Sequence, residues 1–128
     1  MENAKILIID DDPDFTAVVG ALLEDEHYSV ITAKNRTEGM EKISNEKPEL
    51  IILDVMMDEA DDGFFLAQKF KKHMPKIPIL MYTSISKTIG LQFGANELVP
   101  VDDFVEKPIS PATLIDKVEK LLQLHYKE

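Results

Sequence analysis

Asp54 ends the apolar run Leu50-Ile51-Ile52-Leu53, and Asp10, Asp11 and Asp12 end a second run, Ile6-Leu7-Ile8-Ile9. Carboxylates in such places can do two kinds of chemistry. One oxygen can attack an electrophile such as a phosphoryl group and hold it as an acyl phosphate. Several together supply the hard oxygen ligands that a cation such as Mg2+ takes. Like charges brought close repel unless a cation or a proton intervenes, so convergence of these acids would itself make a cation site.

For the acids to converge, both runs must be strands whose carboxyl ends lie side by side. Neither run alternates apolar with polar residues, which marks strands buried on both faces of a parallel sheet. Open α/β sheets place ligands in the crevice outside the carboxyl ends of their strands, where Asp54 would sit. The first strand is expected over Lys5–Ile9. Asp12 then caps a helix opened by Pro13 and reaching about Asp25, with Phe15, Val18, Val19, Leu22 and Leu23 on one face. Tyr28–Ala33 reads as a second strand, and Asn35 with Glu38 as a capping box for a helix to about Asn45. The central strand Leu50–Leu53 leads into an acidic loop, Val55–Gly63, and a helix from Gly63 to about His73. The fourth strand is Ile77–Tyr82, ending in Thr83-Ser84. Gly90, Gly94 and Pro100 break the periodicity that follows, which leaves a short helix over about Ser86–Leu91 and a long loop. Asp103–Glu106 is a short fifth strand, followed by Lys107-Pro108. Ser110-Pro111 starts a last helix with Leu114, Ile115, Val118, Leu121 and Leu122 as its apolar stripe. Strand and helix alternating five times imply a parallel sheet with helices on both faces.

Composition bounds the possibilities. The 128 residues are 45% hydrophobic, enough for one ordinary domain to bury a single core. A net charge of −10, from 24 acids against 14 bases, argues against nucleic acid or an anionic membrane as the direct partner. There is no cysteine, hence neither a disulfide framework nor a thiolate metal site. Met1-Glu2-Asn3 lacks the basic region of a signal peptide and Ile6–Ile9 is too short to span a bilayer, so a cytoplasmic protein without membrane insertion is expected. His27, His73 and His125 have no metal-ligand spacing and read as surface residues. Asp58–Asp62 reads as a solvated turn, and the methionines and phenylalanines as core filling.

Asp10-Asp11 after the first strand, Asp54 after the third, Thr83-Ser84 after the fourth and Lys107-Pro108 after the fifth resemble the receiver domain of bacterial two-component response regulators. The resemblance covers the whole chain, 1–128, as one domain. It implies a flavodoxin-like (βα)5 fold, doubly wound, with a five-stranded parallel sheet in the order 2-1-3-4-5. It also implies that Asp54 is the phosphoacceptor, charged by a histidine kinase or histidine phosphotransfer protein. Mg2+ would be held by Asp11, Asp54 and the backbone carbonyl of Met56, with Asp10 acting through water. Lys107 would offer an ammonium and Thr83 a hydroxyl to the phosphoryl oxygens, and Thr83 with Phe104 would form the switch that a downstream effector protein reads. The chain would be a switch rather than a turnover enzyme. The resemblance further implies a cis Lys107–Pro108 bond, and a long-lived phosphorylated form because Met56 and Ile85 are apolar at the pocket mouth.

The sequence also departs from the family. Asp58 replaces a common proline, one extra residue precedes Gly63, Phe104 lacks a hydroxyl, and the broken stretch Gly90–Pro100 falls where the family has its signalling helix. Two readings of other classes compete. A haloacid-dehalogenase-type phosphatase would use the Asp10–Asp12 spacing after the first strand, and a phosphorylation-independent interaction module would use none of the acids.

Overall fold

Runs of bulky aliphatic side chains are stable as strands when both faces are covered, and the runs Ile6–Ile9 of β1 (Lys5–Ile9) and Leu50–Leu53 of β3 (Leu50–Asp54) are covered on both. The computed structural model describes the backbone over residues 4–54, 62–84, 102–107 and 110–127, and the side chains there except at 62–65, 83–84, 104, 106–107 and 124–127. The remaining elements are α1 (Pro13–Asp25), β2 (Ser29–Ala33), α2 (Arg36–Glu46), α3 (Asp62–His73), β4 (Ile79–Ser84), β5 (Asp103–Lys107) and α4 (Pro111–Lys127). All strand pairings are parallel, in the order β2-β1-β3-β4-β5.

The pleat sends alternate residues to opposite faces. Ile6, Ile8, Leu50, Ile52, Leu80 and Tyr82 pack with Val19 and Leu23 of α1 and Leu114, Val118 and Leu122 of α4. Leu7, Ile9, Ile51, Leu53, Ile79 and Met81 pack with Ile43 of α2 and Leu66 and Phe70 of α3. Asp10 and Asp54 fall two residues after Ile8 and Ile52, and so continue the side of the sheet that carries α1 and α4.

Local chemistry explains where the elements begin and end. Asp12 accepts from the amides of Asp14 and Phe15 at 3.0 and 3.3 Å, which satisfies two orphan donors at the start of α1. Replacing Asp12 by Ala should cost about 1 kcal/mol. A lowered urea midpoint at unchanged slope would show it, and Asp12→Asn should lose almost nothing. In α2, Asn35 accepts from the Glu38 amide at 2.8 Å, while the Glu38 carboxylate reaches back to the amide of Lys34 rather than that of Asn35. Gly39 lets α2 lie close on the sheet, since a Cβ there would stand 2.9 Å from Cδ1 of Ile9.

Several expected boundaries shift. Tyr28 is not in β2, because its amide donates back to Leu23 at 3.2 Å and completes the end of α1. β4 starts at Ile79 rather than Ile77, since Pro78 has no amide to give a ladder and the Ile77 amide closes a turn onto Met74. It then runs on through Thr83 and Ser84, and β5 correspondingly reaches Lys107. α2 ends and α3 begins one residue away from the expected positions. Val18 is 61% exposed and does not belong to the buried face of α1, where Gly20 takes the sheet-facing place against Val30. The expected helix over Ser86–Leu91 lies outside the described residues.

Candidate functional site

Pairing of β1 with β3 sets Ile9 beside Leu53, so the two chains leave the sheet together and their next residues are Asp10 and Asp54. Asp10 is 2% exposed and Asp54 3%, the two buried acidic side chains among the described residues. Asp11 is exposed. One oxygen from each of the three lies within 4.8 Å of the others. This donor set is all oxygen and all carboxylate, and it fits a hard divalent cation that keeps part of its water shell. Burial of two like charges so close is costly unless a cation or hydrogen bonds offset it.

Hydrogen bonds hold Asp10 at both oxygens. The Asp12 amide donates to Oδ1 at 2.9 Å, and the Tyr82 hydroxyl donates to Oδ2. Tyr82 is the register partner of Asp54 on β4 and is fully buried. Burial first, then the neighbouring Asp10, raises its phenol far above the ordinary tyrosine value, so this hydroxyl remains a donor. Its ring stacks on Phe15 of α1 with centroids 4.3 Å apart. Sequence reasoning missed this residue. The signal was present, as the only polar tip in the otherwise aliphatic Ile79-Leu80-Met81-Tyr82, but only register shows that the tip meets Asp10.

Thr83 and Ser84 close β4 opposite Glu106 and Lys107 of β5. Their backbones therefore stand at the same carboxyl edge of the sheet as Asp54, one and two residues beyond its partner Tyr82. The side chains of Thr83, Lys107 and Phe104 lie outside the described residues, as do Met56, Ile85, the Lys107–Pro108 bond and the Asp58–Glu59 part of the acidic loop. Beside the acids a cleft of about 410 Å3 opens between α1 and α2, lined by Asp10, Asp11, Pro13, Thr16, Lys34 and Glu38 among others. His27 and His73 are exposed, as expected.

The response regulator receiver domain family model matches residues 6–119. The chain is 35% identical over 125 residues to the alkaline phosphatase synthesis transcriptional regulatory protein PhoP of Bacillus subtilis (strain 168), covering 94% of this chain and 49% of that protein. It is 32% identical over 127 residues to the transcriptional regulatory protein CssR of the same organism, covering 96% of this chain and 53% of the relative. The chain thus spans about half the length of these curated relatives. Among solved structures it is similar to a CheY-like response regulator receiver domain protein from Methanospirillum hungatei JF-1, with TM-score 0.81, 31% identity and 96% of each chain covered. It is also similar to the receiver domain of NtrX from Brucella abortus, with TM-score 0.80, 29% identity, and 92% of this chain and 98% of that one covered. The match over nearly the whole length, in sequence and in fold, means that this chain belongs to the response regulator receiver domain family of two-component signalling.

Proposed function

We propose that the chain, as a single receiver domain over 1–128, is a phosphoacceptor switch charged on Asp54 by a histidine kinase or histidine phosphotransfer protein. The observation that carries this reading is the convergence of Asp10, Asp11 and Asp54 at the carboxyl edge of the sheet. An Asp54 oxygen attacks phosphorus in line with the leaving group. The new P–O bond forms as the bond to the donor breaks, and an acyl phosphate results. Mg2+, when bound, offsets charge on the phosphoryl oxygens. Asp11, Asp54 and the carbonyl of Met56 would hold it directly, and Asp10 through water. The edge position of the Thr83 and Lys107 backbones supports their assignment to the phosphoryl oxygens, Thr83 by its hydroxyl and Lys107 by its ammonium. Thr83 and Phe104 then pass the change to a downstream effector protein. No described helix is long and apolar enough to cross a membrane, in keeping with work in the cytoplasm.

The dehalogenase-type reading asks Asp12 to serve as general acid, and that side chain is occupied in capping α1. Mass spectrometry after acetyl phosphate and Mg2+ tests the phosphoacceptor reading. An unmodified chain would favour the phosphorylation-independent interaction module.

A second measurement concerns the cation alone. Mg2+ should raise the melting temperature of the unphosphorylated protein, because a cation that binds only the folded state stabilises by mass action. At ten times its dissociation constant the gain is about 1.4 kcal/mol. Asp11→Ala should abolish the rise. A variant that responds like the parent would remove Asp11 from the site.

A further inference from the structure

Asp10 is almost fully buried, and each of its oxygens already receives one protein donor. The two donors come from different elements. The Asp12 amide belongs to the turn into α1, and the Tyr82 hydroxyl comes across the sheet from β4. A carboxylate with a donor on each oxygen cannot rotate about its Cβ–Cγ bond without losing both bonds. Tyr82 is itself held. Its backbone is paired with Asp54 on one side and Val105 on the other, and its ring lies flat on Phe15 at an interplanar angle of 22°.

We propose that Tyr82 is a positioning residue for the cation site, fixing the Asp10 carboxylate in the orientation that binds a hydrated divalent cation and tying that carboxylate to α1 through Phe15. The inference rests on the reading of Asp10, Asp11 and Asp54 as a cation site and assigns that site a partner outside the acids. Groups that orient metal-binding side chains from behind are worth about 10–100-fold in metal affinity. The ring accounts for packing and the hydroxyl for orientation, so the two contributions separate in one substitution. Tyr82→Phe keeps the stack and removes only the donor.

The test is Mg2+ titration of the unphosphorylated protein by calorimetry, for the parent, Tyr82→Phe, Asp10→Asn and the double variant. Tyr82→Phe should weaken Mg2+ binding by about tenfold. In the Asp10→Asn background the same change should do nothing further, because the carboxylate it positions is gone. A purely structural role of the hydroxyl would weaken binding equally in both backgrounds and would overturn the proposal, as would unchanged or tighter binding by Tyr82→Phe. The chain has no tryptophan and three tyrosines, so a near-ultraviolet difference spectrum on adding Mg2+ can be read for this residue. That spectrum should appear in the parent and vanish in Tyr82→Phe, and its survival in the variant would count against Tyr82. Melting curves without Mg2+ identify any variant that fails to fold, and for such a variant Phe15→Leu takes its place. Loss of the stacked ring should then weaken Mg2+ binding in the Asp10 background and leave it unchanged in Asp10→Asn. If the parent itself binds no Mg2+, the cation-site reading fails. If the parent binds and Tyr82→Phe binds as well, only the role of Tyr82 fails.

Discussion

Acetyl phosphate with Mg2+ should add one phosphoryl group to this chain, at Asp54, and Asp54→Ala should add none. The effect is all or nothing because the nucleophile is removed rather than mispositioned. Asp54 lies at the carboxyl end of the central strand and is nearly buried, with two further acids within 4.8 Å. Asp10 is held at both oxygens and Asp11 is exposed, whereas Asp54 is buried at the end of the central strand. A chelator should suppress the reaction, since without a cation an anionic phosphoryl donor must approach a cluster of carboxylates against their repulsion. Intact-mass measurement followed by peptide mapping reads both the number and the position of the groups added. Equal labelling of Asp54→Ala, or labelling untouched by chelator, would dismiss the assignment.

Phe70→Ala should remove about 3–5 kcal/mol of stability. Phe70 is 1% exposed and belongs to the core between the sheet and the α2–α3 side, where truncation leaves a cavity as well as losing apolar contact. A domain of this size is stable by about 5–15 kcal/mol in total, so the loss is a large fraction of that stability. Urea denaturation gives the value, and a loss below about 1 kcal/mol would show that Phe70 is less well packed than its burial implies. Val18→Ala provides the contrast. At 61% exposure it should change stability by no more than about 0.5 kcal/mol, although periodicity along α1 places Val18 beside Val19 on the apolar face.

Much of this protein was legible in the chain because some signals are local. Unbroken aliphatic runs too short for a helix identify β1 and β3, and the acids Asp10 and Asp54 follow those runs directly in the sequence. Asp12 and Asn35 announce the starts of α1 and α2 through bonds that span two or three residues. The Leu114, Ile115, Val118, Leu121 and Leu122 stripe of α4 follows from helical spacing; Ile115 is partly buried and the other four are buried. Strand ends were less legible. Whether Thr83, Ser84 and Lys107 belong to strands depends on each having a partner across the ladder, and pairing is a property of two chains.

Other features were decided by the tertiary structure alone. Val18 is exposed because the face of α1 that meets the sheet is turned toward Gly20, away from Val18, which apolar spacing within the helix does not reveal. The closeness of Asp10 to Asp54 depends on β1 and β3 being neighbours in register, a relation between residues 44 apart that local propensity does not encode. The bond from Tyr82 to Asp10 depends further on β4 lying beyond β3 and on the pleat turning that ring to the α1 side. Carboxylates with the right chemistry are written in the sequence. Which oxygen meets which donor follows from strand order and register, because those set distances between residues that the chain itself keeps far apart.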